Sequence, residues 1–278
     1  MNDPKVNEIL ARHGLTTAKS LGQNFLRSGA VLEDIAAAAS KADRILEIGA
    51  GIGSLTALLC EQAEQVVTVE IDQKLEPLLA EQVPHPNHRF LWQDILTCDL
   101  QAVAKEQFGG KPFTVVGNLP YYITTEILLL LLKQPVWQEA ILMVQQEVAE
   151  RLLASAGSKS YRAMSVLVQS FCEGELLFEV PPHCFYPAPH VRSAVLRLTL
   201  RPERPERPEQ YIQFVQASFA ARRKMFTASP AMQQLLGCGK QELASLLKAA
   251  NLPENARGET FSPAEQQRLY KLAQNMNE

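Results

Sequence analysis

Between Arg44 and Leu200 the chain alternates short apolar runs rich in β-branched residues with longer stretches of helical periodicity. The runs are RILEIG (44–49), QVVTVEI (65–71), HRFLWQD (88–94), FTVVGN (113–118), AILMVQ (140–145), ELLFEV (175–180) and AVLRLTL (194–200). Several are apolar nearly throughout, as strands covered on both faces are, so the order predicts a doubly wound α/β domain with a mostly parallel sheet over residues 44–200. The last two runs are separated by PPHCFYPAPHVRS (181–193), too long for a tight hairpin and suited to a connection that carries function.

The flanks read differently. Residues 1–43 form an N-terminal extension containing LGQNFL (21–26), and RPERPERPE (201–209) places a proline at every third position. Proline there denies helix hydrogen bonds and favours an extended spacer, which sets the domain boundary. From residue 210 to 278 the pattern is helical. SPAEQQRLYKLA has Ser262 as N-cap, Pro263 at the first helical position and Glu265 three residues after the serine, a capping box with a proline start. KQELASLLKAANL spaces its apolar residues by three and four, so a small all-helical C-terminal domain is expected.

With 278 residues and 46% hydrophobic content, the chain can bury one large core and a smaller one. Its longest aliphatic run, Ile127–Leu132, falls far short of the roughly 20 residues of a membrane span, and no signal peptide layout opens the sequence. A cytoplasmic protein without a membrane partner is expected. Five scattered cysteines without a C-x-x-C spacing fit reduced thiols, and His183, Cys184 and His190 lack a fourth ligand, so no metal is expected. A net charge of −3 argues against indiscriminate coating of nucleic acid. It leaves room for a local basic face at Arg222, Arg223 and Lys224, which serves either phosphate contact or solvation of a helix end.

LEIGAGIGSLT (46–56) follows the first strand and opens a helix. Gly49, Gly51 and Gly53 permit a sharp turn and close approach of a ligand to the main chain. Glu70 lies 21 residues beyond Gly49, where a carboxylate accepts both hydroxyls of a ribose. A nicotinamide dinucleotide and S-adenosylmethionine both remain open on that spacing. Ser54 stands where a pyrophosphate site wants glycine or alanine, and Asp94 adds a second carboxylate for the exocyclic amine of an adenine, so the pocket suits a cationic sulfonium better than two phosphates. Asp94 equally reads as an N-cap for the helical turn after it.

Asn118 ends the fourth run at the same strand rim. With Leu119 and Pro120 it offers a side-chain and a main-chain carbonyl to one amine, while Tyr121 offers a stacking face. The exocyclic amine of adenine is a poor nucleophile because its lone pair is delocalised into the ring; two acceptors hold its hydrogens out of plane and direct the lone pair at a methyl donor without a strong general base. Phe185 is a second candidate stacking face, or a loop anchor packed on the core. Tyr122 has no role assigned.

LGQNFL, EIGAGIGSLT, VEID, QDIL, GNLPYYITT, MVQQEVAERL and FYPAPHVRSAV, in this order, resemble the ribosomal RNA adenine dimethyltransferase family. The resemblance implies a seven-stranded Rossmann-like methyltransferase sheet with a helical C-terminal domain, and S-adenosyl-L-methionine as cofactor. It assigns cofactor contacts to Asn24, Leu26, Gly49, Glu70, Asp94 and Asn118, with Gln23 and Ile95 as neighbours. It further implies N6,N6-dimethylation of two adjacent adenosines in a hairpin near the 3′ end of small-subunit rRNA, acting as a monomer on an assembling 30S particle. The alternatives are an assembly factor whose binding outweighs methylation, a large-subunit rRNA adenine methyltransferase, and an NAD oxidoreductase. Glu126, Arg162 and the FTASP that follows ARRKM depart from the family pattern, the last bearing on how the C-terminal domain docks RNA.

Overall fold

The computed structural model describes residues 6–16, 22–221 and 224–275. Helix α1 (Val6–Arg12), the two-residue strand β1 (Phe25–Leu26) and α2 (Gly29–Ala38) lead into β2 (Arg44–Ile48). The chain continues through α3 (Ser54–Gln62), β3 (Gln65–Glu70), α4 (Glu76–Gln82), β4 (His88–Trp92), α5 (Leu100–Phe108), β5 (Thr114–Asn118), α6 (Thr124–Lys133) and β6 (Glu139–Gln145). Next come α7 (Gln146–Leu152), α8 (Ala163–Phe171), β7 (Cys172–Val180), the short β8 (Phe185–Tyr186) and β9 (Ser193–Leu200), then α9 (Pro208–Phe219), α10 (Pro230–Leu236), α11 (Lys240–Ala249) and α12 (Pro263–Gln274).

All seven apolar runs become strands of one sheet in the order β4-β3-β2-β5-β6-β9-β7. The pairs from β4 to β6 are parallel and β6 pairs β9 antiparallel. Ile45, Leu46, Val66, Val67, Val115, Val116, Ile141 and Leu142 are buried completely, which explains why these strands read as continuous apolar runs. From β2 the chain moves outward to β3 and β4, then returns to β2's other side as β5. This reversal opens a crevice at the carboxyl ends of β2 and β5.

The chain divides into two compact units, Met1–Ala149 with Glu175–Leu200, and Glu150–Gly174 with Arg201–Glu278. Residues 150–174, expected within the α/β domain, group with the C-terminal helices instead. Helix α8 buries Val166, Leu167, Val168 and Phe171, Ser170 Oγ lies 2.7 Å from Tyr211 Oη, and Tyr161 Oη donates to Phe261 O at 2.9 Å. An apolar α8 thus supplies part of that unit's own core. The spacer expected at 201–209 is partly anchored, since the Arg201 guanidinium donates to the carbonyls of Gln169 and Cys172 and α9 starts at Pro208. At α12 the capping box forms as read, with Ser262 N–H donating to Glu265 Oε2 at 2.7 Å and Glu265 N–H to Ser262 Oγ at 3.3 Å.

Candidate active site at the strand ends

Loops following β2, β3, β4 and β5 converge on a cavity of about 300 Å³ within the first unit. Its wall includes Gln23, Asn24, Leu26, Gly49, Glu70, Asp94, Ile95, Asn118, Leu119 and Tyr121. These residues lie as much as 98 positions apart in sequence. Parallel register brings them together, with Ile48 beside both Val69 and Gly117, so each strand ends at nearly the same height.

The turn after β2 begins at Gly49, whose φ of +79° favours glycine and where a Cβ would meet no protein atom. The main chain is therefore open toward the cavity at that point. Glu70 is 7% exposed, and its two oxygens accept from Gly51 N–H at 3.3 Å and Asp72 N–H at 2.9 Å. The backbone N–H of Ile71 also points at this carboxylate, whose roughly four acceptor positions still leave room for a ligand hydroxyl. Burial raises its pKa, opposed by these backbone donors. Asp94 takes its capping reading, with Oδ1 accepting from Leu96 N–H at 2.9 Å at the start of the turn Ile95–Thr97, and it also lines the cavity.

A third carboxyl went unread in the sequence. Glu47 is 1% exposed and also lines the cavity. Its Oε2 accepts from Thr56 Oγ1 at 2.7 Å and Thr68 Oγ1 at 2.9 Å, whereas Oε1 has no partner among the described residues. Burial pushes its pKa up to about 7. With Glu47, Glu70 and Asp94 in the wall and, among the described residues, no Lys, Arg or His there, the cavity suits a cation rather than phosphates. A sulfonium with an amino-acid ammonium fits that donor set, and a dinucleotide carrying two phosphates does not.

At the other end of the cavity, Asn118 Nδ2 donates to Asn24 O at 3.0 Å. This contact assigns the two ends of the carboxamide, keeping the amide nitrogen on the main chain and the oxygen available as an acceptor. Leu119 N–H donates to Met143 O at 3.0 Å, extending the link to β6 past the strand end. Tyr121 is half-buried, and its hydroxyl lies 2.6 Å from Ser193 Oγ at the start of β9. Burial raises the phenol pKa, partly offset by that hydrogen bond. Phe185 is not brought to this wall: it is 2% exposed, part of the core with Phe25, Leu26 and Cys184. Of its two sequence readings the packed anchor is the one this conformation shows, because β8 pairs β1 in the register Leu26↔Phe185.

The β1–β8 pair explains how the N-terminal extension reaches the site. It fastens residues 25–26 to the 181–193 connection, Gln23 Nε2 donates to Asp72 Oδ2 at 3.1 Å, and Asn24 Nδ2 donates to Gly22 O at 3.1 Å. No periodicity reveals two-residue strands some 160 positions apart. Of the basic triplet, Arg222 and Arg223 lie outside the described residues, while Lys224 is exposed in the second unit. Among the described residues no cluster of three His, Cys, Asp or Glu is arranged to hold a metal ion, and no helix is long and apolar enough to cross a membrane.

The sequence matches the model of the ribosomal RNA adenine dimethylase family over residues 14–268. It is 39% identical to ribosomal RNA small subunit methyltransferase A of Alkaliphilus metalliredigens (strain QYMF), covering 96% of this chain and 95% of the relative. It is 42% identical to the protein of that name from Pelotomaculum thermopropionicum (strain DSM 13744 / JCM 10971 / SI), covering 94% and 92%. Among solved structures, the 23S rRNA methyltransferase ErmE matches with a TM-score of 0.65 at 28% identity, over 90% of this chain and all of that one. A dimethyladenosine transferase from Plasmodium falciparum shares the fold, with a TM-score of 0.75 at 22% identity over 91% and 98%. The chain belongs to the ribosomal RNA adenine dimethylase family, and is an S-adenosylmethionine-dependent enzyme that dimethylates adenine in ribosomal RNA.

Proposed function

We propose that the substrate is small-subunit rRNA within an assembling 30S particle, and that Asn118 and Leu119 present the N6 amine of an adenosine to the methyl donor. The observation that carries the site reading is the Asn118–Asn24 hydrogen bond, which turns the carboxamide oxygen into a fixed acceptor. S-Adenosylmethionine supplies an electrophilic methyl group on a positively charged sulfur. Glu70 accepts the ribose hydroxyls, Asp94 the adenine amine through the oxygen not used in capping, and Asn24, Leu26 and Gly49 complete the cofactor wall. Glu47 Oε1 is an unpaired acceptor on the same side.

At the reacting end, Asn118 Oδ1 and Leu119 O each take one hydrogen of the target amine. That would rehybridise nitrogen toward a tetrahedral geometry and aim its lone pair at the methyl donor. A bound donor would give its methyl group to that nitrogen with the thioether as leaving group, and the excess proton would leave the amine for solvent. Tyr121 stacks on the extruded base, held in place by Ser193. An aromatic–base stack contributes about 1–3 kcal/mol, comparable with the few kcal/mol that extrusion costs. Lys224 and the neighbouring arginines contact phosphates, and the protein works as a cytoplasmic monomer. The small-subunit assignment is supported by the names and extents of the 39–42% identical relatives.

Incubation of undermodified small and large subunits side by side with methyl-labelled cofactor tests this reading. Label should appear as N6,N6-dimethyladenosine in the small-subunit RNA. Label confined to the large subunit, or none where a control enzyme works, would overturn the assignment.

A further inference from the structure

Tyr122 is 55% exposed, the most exposed of the large hydrophobic side chains among the described residues. It also lines the mouth of the cavity, beside Asn118 and Tyr121. An exposed aromatic ring is ordinarily a loosely held one. This ring is pinned, because it lies against the backbone of Gly22: a Cβ there would sit 3.0 Å from Tyr122 Cδ1 and 3.2 Å from Cε1, and Gly22 has a φ of +60°. The positive φ favours glycine there, and a Cβ would press on the ring by a few tenths of an ångström. The turn carrying the tyrosine is fixed as well, with Ile123 N–H and Thr124 Oγ1 both donating to Pro120 O, at 3.2 Å and 3.0 Å.

A flat, partly apolar face, held on a rigid turn and offered to solvent, loses little further freedom when a partner covers it. The rest of the mouth selects that partner. Ile71, also lining the cavity, is 51% exposed, and among the described residues the wall has no cation to recruit an anion. A neutral aromatic plane is what this corner accommodates. Successive Cα atoms lie about 3.8 Å apart, so rings on successive residues can serve successive nucleotides of one splayed strand.

Building on the RNA-modifying role set out above, we propose that Tyr122 is a stacking platform for the base next to the target adenosine in single-stranded RNA. It is a positioning residue: it holds the flanking nucleotide so that the neighbouring adenine enters the cavity in register with Asn118.

The test uses the full-length enzyme and undermodified ribosomal particles of whichever subunit the wild type labels, which separates this proposal from the choice of subunit. Tyr122→Ala should raise KM for the particles about ten-fold, within the range of one aromatic–base stack, and lower kcat far less. Affinity for S-adenosylmethionine by calorimetry should stay within about two-fold, and Tyr122→Phe should behave like wild type because stacking needs the ring rather than the hydroxyl. Ultraviolet cross-linking to the particles, read by mass spectrometry, should place a nucleotide adduct on Tyr122 of the wild type. An unchanged KM in Tyr122→Ala, a Tyr122→Phe defect equal to that of alanine, or a parallel loss of cofactor affinity would each overturn the proposal.

Discussion

The two ends of the cavity are made of different materials. The cofactor end presents carboxyl groups from three different strand segments: Glu47 and Glu70 are buried, and Asp94 spends one oxygen on a turn. The base-facing end presents a carboxamide, a main-chain carbonyl and a phenol, none of them charged. On the proposed reading, acidic groups line the part that takes the cationic donor, and neutral dipoles line the part that orients an uncharged amine. A strong base at the second end would gain little, because the target amine has no readily removable proton before transfer. A neutral wall at the first end would leave the sulfonium unmatched.

The sharpest way to break this contrast is to remove the fixed acceptor. Asn118→Ala should lower kcat by on the order of a hundred-fold or more, the scale seen when one preorganised polar group is deleted from a reacting site. Cofactor affinity should fall much less, since Glu70 and Asp94 remain. Single-turnover methyl transfer with calorimetry on the same preparation checks both halves. Equal losses in binding and turnover would merge the two ends into one.

The next largest effect belongs to Glu47 and is read in stability. Its pKa is raised by burial to about 7 from an ordinary 4.5, so the folded state favours the neutral carboxyl. That contribution is fully present below about pH 4.5 and is lost as pH rises through 7. His88, whose Nε2 lies 2.9 Å from the same Thr68 hydroxyl, is lowered by burial to about 4, so its contribution runs the other way, gained as pH rises from about 4 to 6.5. The Glu47→Gln variant removes the first slope and leaves the second. Without cofactor, wild type should therefore lose a few kcal/mol relative to Glu47→Gln between pH 4.5 and 7, followed by urea unfolding at each pH. A difference independent of pH would mean Glu47 is ionised throughout.

Glu70→Gln comes third. It keeps the shape but sets an amide NH2, which cannot accept, against one of the two backbone N–H donors and replaces charge-assisted hydrogen bonds with neutral ones, for about 1.5–3 kcal/mol or roughly ten- to a hundred-fold in cofactor dissociation constant. The kcat at saturating cofactor should hold.

Legibility in the sequence follows the same division. That Gly49, Glu70, Asp94 and Asn118 share one cavity wall is readable, because each ends an apolar run and strand ends share a rim. Glu47 was not, since it lies inside the run RILEIG as a lone carboxyl whose partners, Thr56 and Thr68, belong to a helix and another strand. The residues 150–174 were misplaced for a related reason: apolar periodicity marks α8 as buried and is silent on which core buries it. Phe185 shows the limit on loops, where a two-residue ladder decides whether a ring faces a ligand or the interior.

The smallest effect distinguishes orientation from contact. Ser193→Ala removes the hydroxyl 2.6 Å from Tyr121 Oη while leaving the ring itself. Ser193 is itself fully buried, so the phenol loses one hydrogen bond there, and the cost should be that of a single neutral hydrogen bond, about 0.5–1.5 kcal/mol. That corresponds to a few-fold rise in KM for the RNA substrate, with no change in cofactor affinity. Tyr121→Ala, which deletes the stacking face, should lose more, up to the 1–3 kcal/mol of a base stack, roughly five- to over a hundred-fold. If the two variants lose equally, the hydroxyl anchor rather than the ring positions the base. If Ser193→Ala also weakens cofactor binding, the neutral end of the cavity is coupled to the charged one through β9.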